Sequence, residues 1–181
     1  MFSERGYDAT SVREICEAAG VTKPTLYHFY GSKEGVYRAL VDDTLERIGE
    51  DIARALAEDG PLRDRLRRLA LTFFDAACAE PDLARFILAL THTPPSSAPR
   101  TDFLRFYDEI LALVTRAIEE GVKRKEVSPG PVDVRLLILM GALGEALHGY
   151  LLAERPDLTP ELAETLVDVV LTGWTREKPT P

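Results

Sequence analysis

Only two cysteines and three histidines occur in 181 residues. Ligands so few and so scattered exclude a disulfide framework and make a poor set for a zinc or iron centre. Cys16 and Cys78 both fall in apolar helical contexts, so both are expected as buried, reduced thiols in a cytoplasmic protein. No glycine-rich phosphate loop follows a strand, no nucleophile elbow is present, and no segment sustains period-two alternation. These absences argue against an enzyme and against a sheet; an all-α fold is expected, with no cofactor and no metal. Repeats and low-complexity tracts are missing as well, and neither a secretory signal nor a transit peptide opens the chain. The longest apolar run, Leu136 to Leu152, is interrupted by Glu145 and His148, so it is expected as a buried helix and no membrane partner is inferred.

Charge is present but uneven. The formal net charge is −8. Residues 1 to 41 hold five Lys or Arg and five Asp or Glu, so the remaining residues carry the whole excess. A neutral head on an acidic body is compatible with nucleic acid on one face only, because the body would be repelled.

That head has the grammar of two short helices joined by a tight turn, from Ser11 to Lys33. Val12, Ile15, Cys16 and Ala19 recur at the spacing of one helical face. Thr10 or Ser11 can cap this helix, and Ser11 with Glu14 has the spacing of a capping box. Gly20 suits the left-handed exit, Val21 is expected inside the turn, and Thr22 with Pro24 opens the next helix. If Leu26 and Tyr30 point inward, then Lys23, Thr25, Tyr27 and His28 remain outside. Those side chains suit guanine edges, thymine methyls and phosphate oxygens. Lys33 stands at the start of a third helix with Ser32 as its expected cap, so its cation and free backbone NH groups would meet a phosphate together.

The run G-V-T-K-P-T-L-Y-H-F-Y-G-S-K-E-G-V, with F-x-E-R-G-Y-x-A-T-S-V before it, resembles the DNA-binding domain of TetR-type transcriptional regulators. The resemblance covers about the first quarter of the chain. It implies that Thr10 or Ser11 and Lys33 hold phosphates, that Lys23, Pro24 and Thr25 face base edges, and that Tyr27 and His28 contact backbone or bases. Arg13 and Thr22 complete the expected DNA-binding set. Tyr30 stands where the family usually has Phe, which implies a core aromatic; Phe29 stands where a polar side chain or His is common, and helical period allows it to be half-buried. The family also places a whole helix before this segment, of which Met1 to Arg5 would be the remnant, so an N-terminally incomplete chain is expected.

Beyond the head, breakers at Gly60-Pro61, Glu80-Pro81, 93–99, 128–131 and 155–160 predict helices near 33–58, 62–79, 82–92, 101–125, 132–153 and 160–175. The expected organisation is a helix-turn-helix domain over 1–41, a helical ligand-binding and dimerisation domain over 42–176, and a disordered tail over 177–181. The helix around Leu136 to Leu152 is apolar on nearly every side, and Gly141, Gly144 and Gly149 would admit another helix closely. Leu136, Met140, Gly144 and Leu147 there, with Leu162, Leu166, Val169 and Trp174 on the last helix, are the expected interface of a twofold homodimer built as a four-helix bundle. TetR-type regulators generally dimerise through their last two long helices, so the resemblance implies the same.

An effector site is expected among Phe74, Cys78, Phe86, His92, Phe103, Tyr107, Ile110, Met140, Glu145 and His148, an apolar set with a few polar anchors. Glu145 and His148 share a helical face and need partners: each other, a ligand, or their symmetry mates. A di-iron bundle would need that E-x-x-H pair twice with two further glutamates, and the chain offers it once in this helix. The sequence therefore predicts a homodimeric regulator that binds a pseudo-palindromic double-stranded DNA operator and is released by a small, largely apolar effector. The competing expectation is a helical small-molecule-binding or scaffold dimer that does not read DNA.

Overall fold

The computed structural model describes residues 1–92, 99 and 103–175. Among the described residues every regular element is a helix: α1 (Phe2–Arg5), α2 (Val12–Ala19), α3 (Lys23–Tyr30), α4 (Lys33–Ala57), α5 (Leu62–Ala79), α6 (Pro81–His92), α7 (Phe103–Lys123), α8 (Val132–Ala153) and α9 (Pro160–Thr175). The expected 177–181 tail lies outside the described residues.

The chain divides into two compact units, neither continuous in sequence: Met1–Ile48 with Asp82–Phe106, and Gly49–Pro81 with Tyr107–Pro181. The first unit is therefore larger than a helix-turn-helix segment. Its core explains why: Tyr37, Val41 and Leu45 recur on α4 at spacings of four and bury against Phe86 of α6. The Tyr37 ring meets Phe2 at 5.2 Å, Tyr7 at 5.2 Å and Phe86 at 5.6 Å, each edge to face. That geometry sets the positive edge of one ring against the negative face of the next. Burial also pushes the Tyr37 hydroxyl above its ordinary pKa.

The second unit is held by α5. Leu62, Leu66, Leu69, Ala70, Phe74 and Ala77 are all buried along it. Against them lie Ala163, Val167, Val170 and Trp174 of α9 and Leu139 and Leu143 of α8. Charges then fix the register. Arg63 donates to both carboxylate oxygens of Asp168 at 2.6 and 2.8 Å and to Glu164 at 2.6 Å, joining α5 to two successive turns of α9. Arg65 reaches Glu120 of α7 at 2.6 Å. Each guanidinium holds its main carboxylate partner, Asp168 or Glu120, below the ordinary carboxylate range. The Glu126 carboxylate accepts from the Leu62 backbone NH, one of the donors left open at the start of α5.

Three expectations are corrected here. Cys78 is exposed rather than buried, because it falls on α5 one position past the buried Ala77. Trp174 is 5% exposed and packs inside its own protomer, with the Arg135 guanidinium 5.2 Å from its ring centre, so it is no interface residue. The α8 helix is not buried all round: Leu139 and Leu143 are 0% and 1% exposed, whereas Leu137 is 74% exposed. By length and composition α8 could cross a membrane, yet it carries a buried arginine, Arg135, and packs on α5 and α9.

Candidate nucleic-acid interface

The helix-turn-helix is built by local hydrogen bonds. Ser11 accepts from the Glu14 backbone NH while the Glu14 carboxylate accepts from the Ser11 NH at 2.9 Å and its hydroxyl at 2.6 Å, a complete capping box at the start of α2. Arg5 donates to the other Glu14 oxygen at 2.7 Å. Together, Ser11 first and then Arg5, these bonds lower the Glu14 pKa to about 2. Gly20 ends α2 at φ 65°, a left-handed conformation that glycine adopts without strain, and Thr22 caps α3 by accepting from the Thr25 NH.

The two helices share a small core of Cys16, 5% exposed, and Leu26, 2% exposed. With Leu26 turned inward, the helical period places Pro24 and His28 opposite it and Thr25 and Tyr27 on either flank. All four are exposed, as are Thr22 and Lys23 at the N-terminal end. Tyr27 is 48% exposed. Ser11 and Arg13 are exposed at the start of α2, with Arg13 3.8 Å from Glu17. The result is one continuous face carrying a cation, hydroxyls, a phenol and an imidazole, without a carboxylate from α3.

Thr10 and Lys33 stand differently. Thr10 is 1% exposed and its hydroxyl donates to the Gly6 carbonyl at 2.9 Å, so its side chain cannot hold a phosphate. The Lys33 ammonium donates to the Tyr7 and Thr10 carbonyls at 2.9 and 3.0 Å. Tyr30 is 49% exposed rather than a core aromatic, Phe29 is 73% exposed rather than half-buried, and Val21 is 40% exposed rather than enclosed by the turn. Leu26 and Cys16 are the buried residues of α2 and α3, and these three side chains lie outside that small core.

The candidate effector residues are divided between the two units. Phe86 belongs to the first unit's core, with Phe103 packed against it. Phe74 and Ile110, at 1% and 3% exposure, are core residues of the second unit. Tyr107 is 41% exposed, Cys78 is exposed and Met140 is half-buried. The His92 side chain lies outside the described residues. Glu145 and His148 do not enter the protomer interior: their side chains are 82% and 40% exposed, 3.8 Å apart on the open side of α8. A cleft of about 450 Å³ in the second unit is lined instead by Leu62, Arg63, Glu126, Val127, Asp168 and Leu171, none singled out from the sequence. Its polar groups come from α5, α9 and the turn after α7, and only folding brings them together.

The family model described as bacterial regulatory proteins, tetR family, matches residues 1–40. Over its first forty residues, the helix-turn-helix segment, the chain is similar to the TetR family. The HTH-type transcriptional activator FasR of Mycolicibacterium smegmatis is 36% identical over 75 residues, 41% of this chain and 34% of FasR. The chain thus spans about a third of the length of that relative. A longer match is to the HTH-type transcriptional regulator YdgC of Bacillus subtilis, 26% identical over 95% of this chain and 86% of YdgC. Among solved structures, the transcriptional regulator FadR from Bacillus subtilis in complex with stearoyl-CoA superposes with a TM-score of 0.75 at 19% identity, over 95% of this chain and 92% of that one. This last likeness establishes a TetR-type fold for nearly the whole chain.

Proposed function

We propose that this chain is a DNA-binding transcriptional regulator that reads a double-stranded operator with the outer face of α3. One observation carries this reading: Leu26 is buried while Lys23, Pro24, Thr25, Tyr27 and His28 all stand exposed on a helix capped and fixed at both ends. Such a helix supplies donors and apolar contacts for the major groove, and phosphate contacts from its flanks orient it. The chain acts as a homodimer, since two reading heads are needed for the two halves of a pseudo-palindromic operator. The open face of α8, with Leu137, Ile138, Gly141 and Gly144, and the neighbouring Val169 of α9 form the twofold contact. Gly141 and Gly144 have no atom within 4 Å of where a Cβ would stand, which leaves room for a second helix.

The effector is a small, largely apolar molecule, of the long-chain acyl thioester kind suggested by the stearoyl-CoA held in the similar FadR structure. It acts by binding one arrangement of the dimer more tightly than another, and its leverage is that ratio of affinities. The test begins with duplex DNA selected by the wild-type chain from a random-sequence pool. Replacing Lys23 and Tyr27 together by Ala is expected to abolish specific binding while the helical signal and thermal midpoint persist. Unchanged affinity in that variant would refute the assignment of α3.

A further inference from the structure

We propose that Lys33 is a positioning residue for DNA reading, acting on the backbone ahead of α2 rather than as a phosphate ligand. The inference rests on the DNA-binding reading above. Lys33 is the first residue of α4, separated from the end of α3 only by Gly31 and Ser32. Its half-buried side chain crosses to the loop between α1 and α2, where the ammonium donates to the carbonyls of Tyr7 and Thr10 at 2.9 and 3.0 Å. The same nitrogen lies 4.1 Å from the centre of the Tyr7 ring.

An ammonium has three donors. Two are committed to carbonyls, and the aromatic face supplies further negative potential to the same charge. A phosphate would have to compete with a set of partners already in place. The loop is also fixed from its other side, because the buried Thr10 hydroxyl donates to the Gly6 carbonyl at 2.9 Å. Thr10 immediately precedes Ser11, the cap of α2. Lys33 therefore ties the start of α2, with its open backbone NH groups and exposed Arg13, to the end of α3. Both ends must meet the duplex at once, and a small displacement of one misplaces the contacts of the other. Glu14, which holds Ser11, secures the same point from within α2.

The experiment compares wild type with Lys33→Met and Lys33→Gln, using a duplex selected by the wild-type chain from a random-sequence pool. Affinity is measured over a range of salt concentrations, and amide hydrogen exchange over residues 7–15 is measured without DNA. Thermal unfolding identifies the folded variants, and Lys33→Gln keeps an amide donor should Lys33→Met fail to fold. The expected result is a loss of affinity of about tenfold or more, an unchanged salt slope, and faster exchange around Thr10 and Ser11 in the free protein. A salt slope reduced by about one, with exchange unaltered, is the signature of a lost phosphate contact and would overturn the proposal. Failure of the wild-type chain to enrich any duplex would overturn the DNA-binding reading itself, and that outcome is distinct because it does not depend on Lys33.

Discussion

Leu137 and Leu139 stand two residues apart on α8, one 74% exposed and the other 0%. Truncating each to Ala separates the interior of the protomer from the proposed dimer face. At Leu139 the missing side chain leaves a cavity among fully packed neighbours, a change that costs about 2–5 kcal/mol. For a chain of this size each kcal/mol lowers the thermal midpoint by about 2–4 °C, so a fall on the order of 10 °C is expected. Leu137→Ala removes about three methylene-sized groups worth about 0.8 kcal/mol each when buried. Three quarters of that surface is open in one protomer, so its cover by a second copy contributes up to about 2 kcal/mol per chain and about 4 kcal/mol per dimer. The dimer dissociation constant would then rise by as much as about a thousandfold. Sedimentation equilibrium over a concentration series measures the second effect. Denaturant unfolding at concentrations where both variants share one assembly state measures the first. Equal self-association of wild type and Leu137→Ala would refute the placement of the interface on this side of α8.

Three further outcomes follow from the head. A Cβ at Gly35 would lie 1.8 Å from the Tyr30 carbonyl oxygen, so Gly35→Ala must push α3 away from α4; operator binding is expected to fall sharply in a footprinting assay while the α5 core keeps its slow hydrogen exchange. Ser11→Ala removes the cap of α2 and is expected to lower stability by about 1 kcal/mol in denaturant unfolding, whereas no change would mean that the box adds nothing to this fold. Glu14 has a folded pKa of about 2 against an ordinary 4.5, so its contribution is fully present above the ordinary value and is lost as pH falls through about 2. The stability difference between wild type and Glu14→Gln should therefore shrink on acidification through that window, and a difference independent of pH would contradict the assignment.

Much of the fold was legible because helices announce themselves locally. The capping box at Ser11 and Glu14, the left-handed exit at Gly20 and the capped start at Thr22 each depend on residues within four positions, and each is found as its residue types require. The periodic stripe of α5 and the breaker at Gly60-Pro61 mark that helix in the same way. Side-chain orientation at the ends of α3 was not legible. Period alone set Tyr30 beside Leu26, yet whether a side chain is covered depends on what another element brings against it, and Tyr30 and Phe29 stay 49% and 73% exposed. The destinations of the aromatic residues in the expected effector set were not legible for the same reason. Phe86 was drawn to the Tyr37 cluster and Phe74 to the α5 core, and apolar composition cannot tell these destinations apart.

The sequence by itself determined an all-helical chain, the position of its helix-turn-helix and the face of α3 that stands free, since all three rest on interactions a few residues long. Only the tertiary structure decided that Lys33 and Thr10 serve the backbone before α2, that Trp174 closes the protomer's own core, and that Glu145 and His148 stand on the open side of α8. Each of these depends on a partner far away in sequence. Lys33 bonds a carbonyl 26 residues distant and Arg63 a carboxylate 105 residues distant, and no local pattern encodes which distant group will be there to meet them.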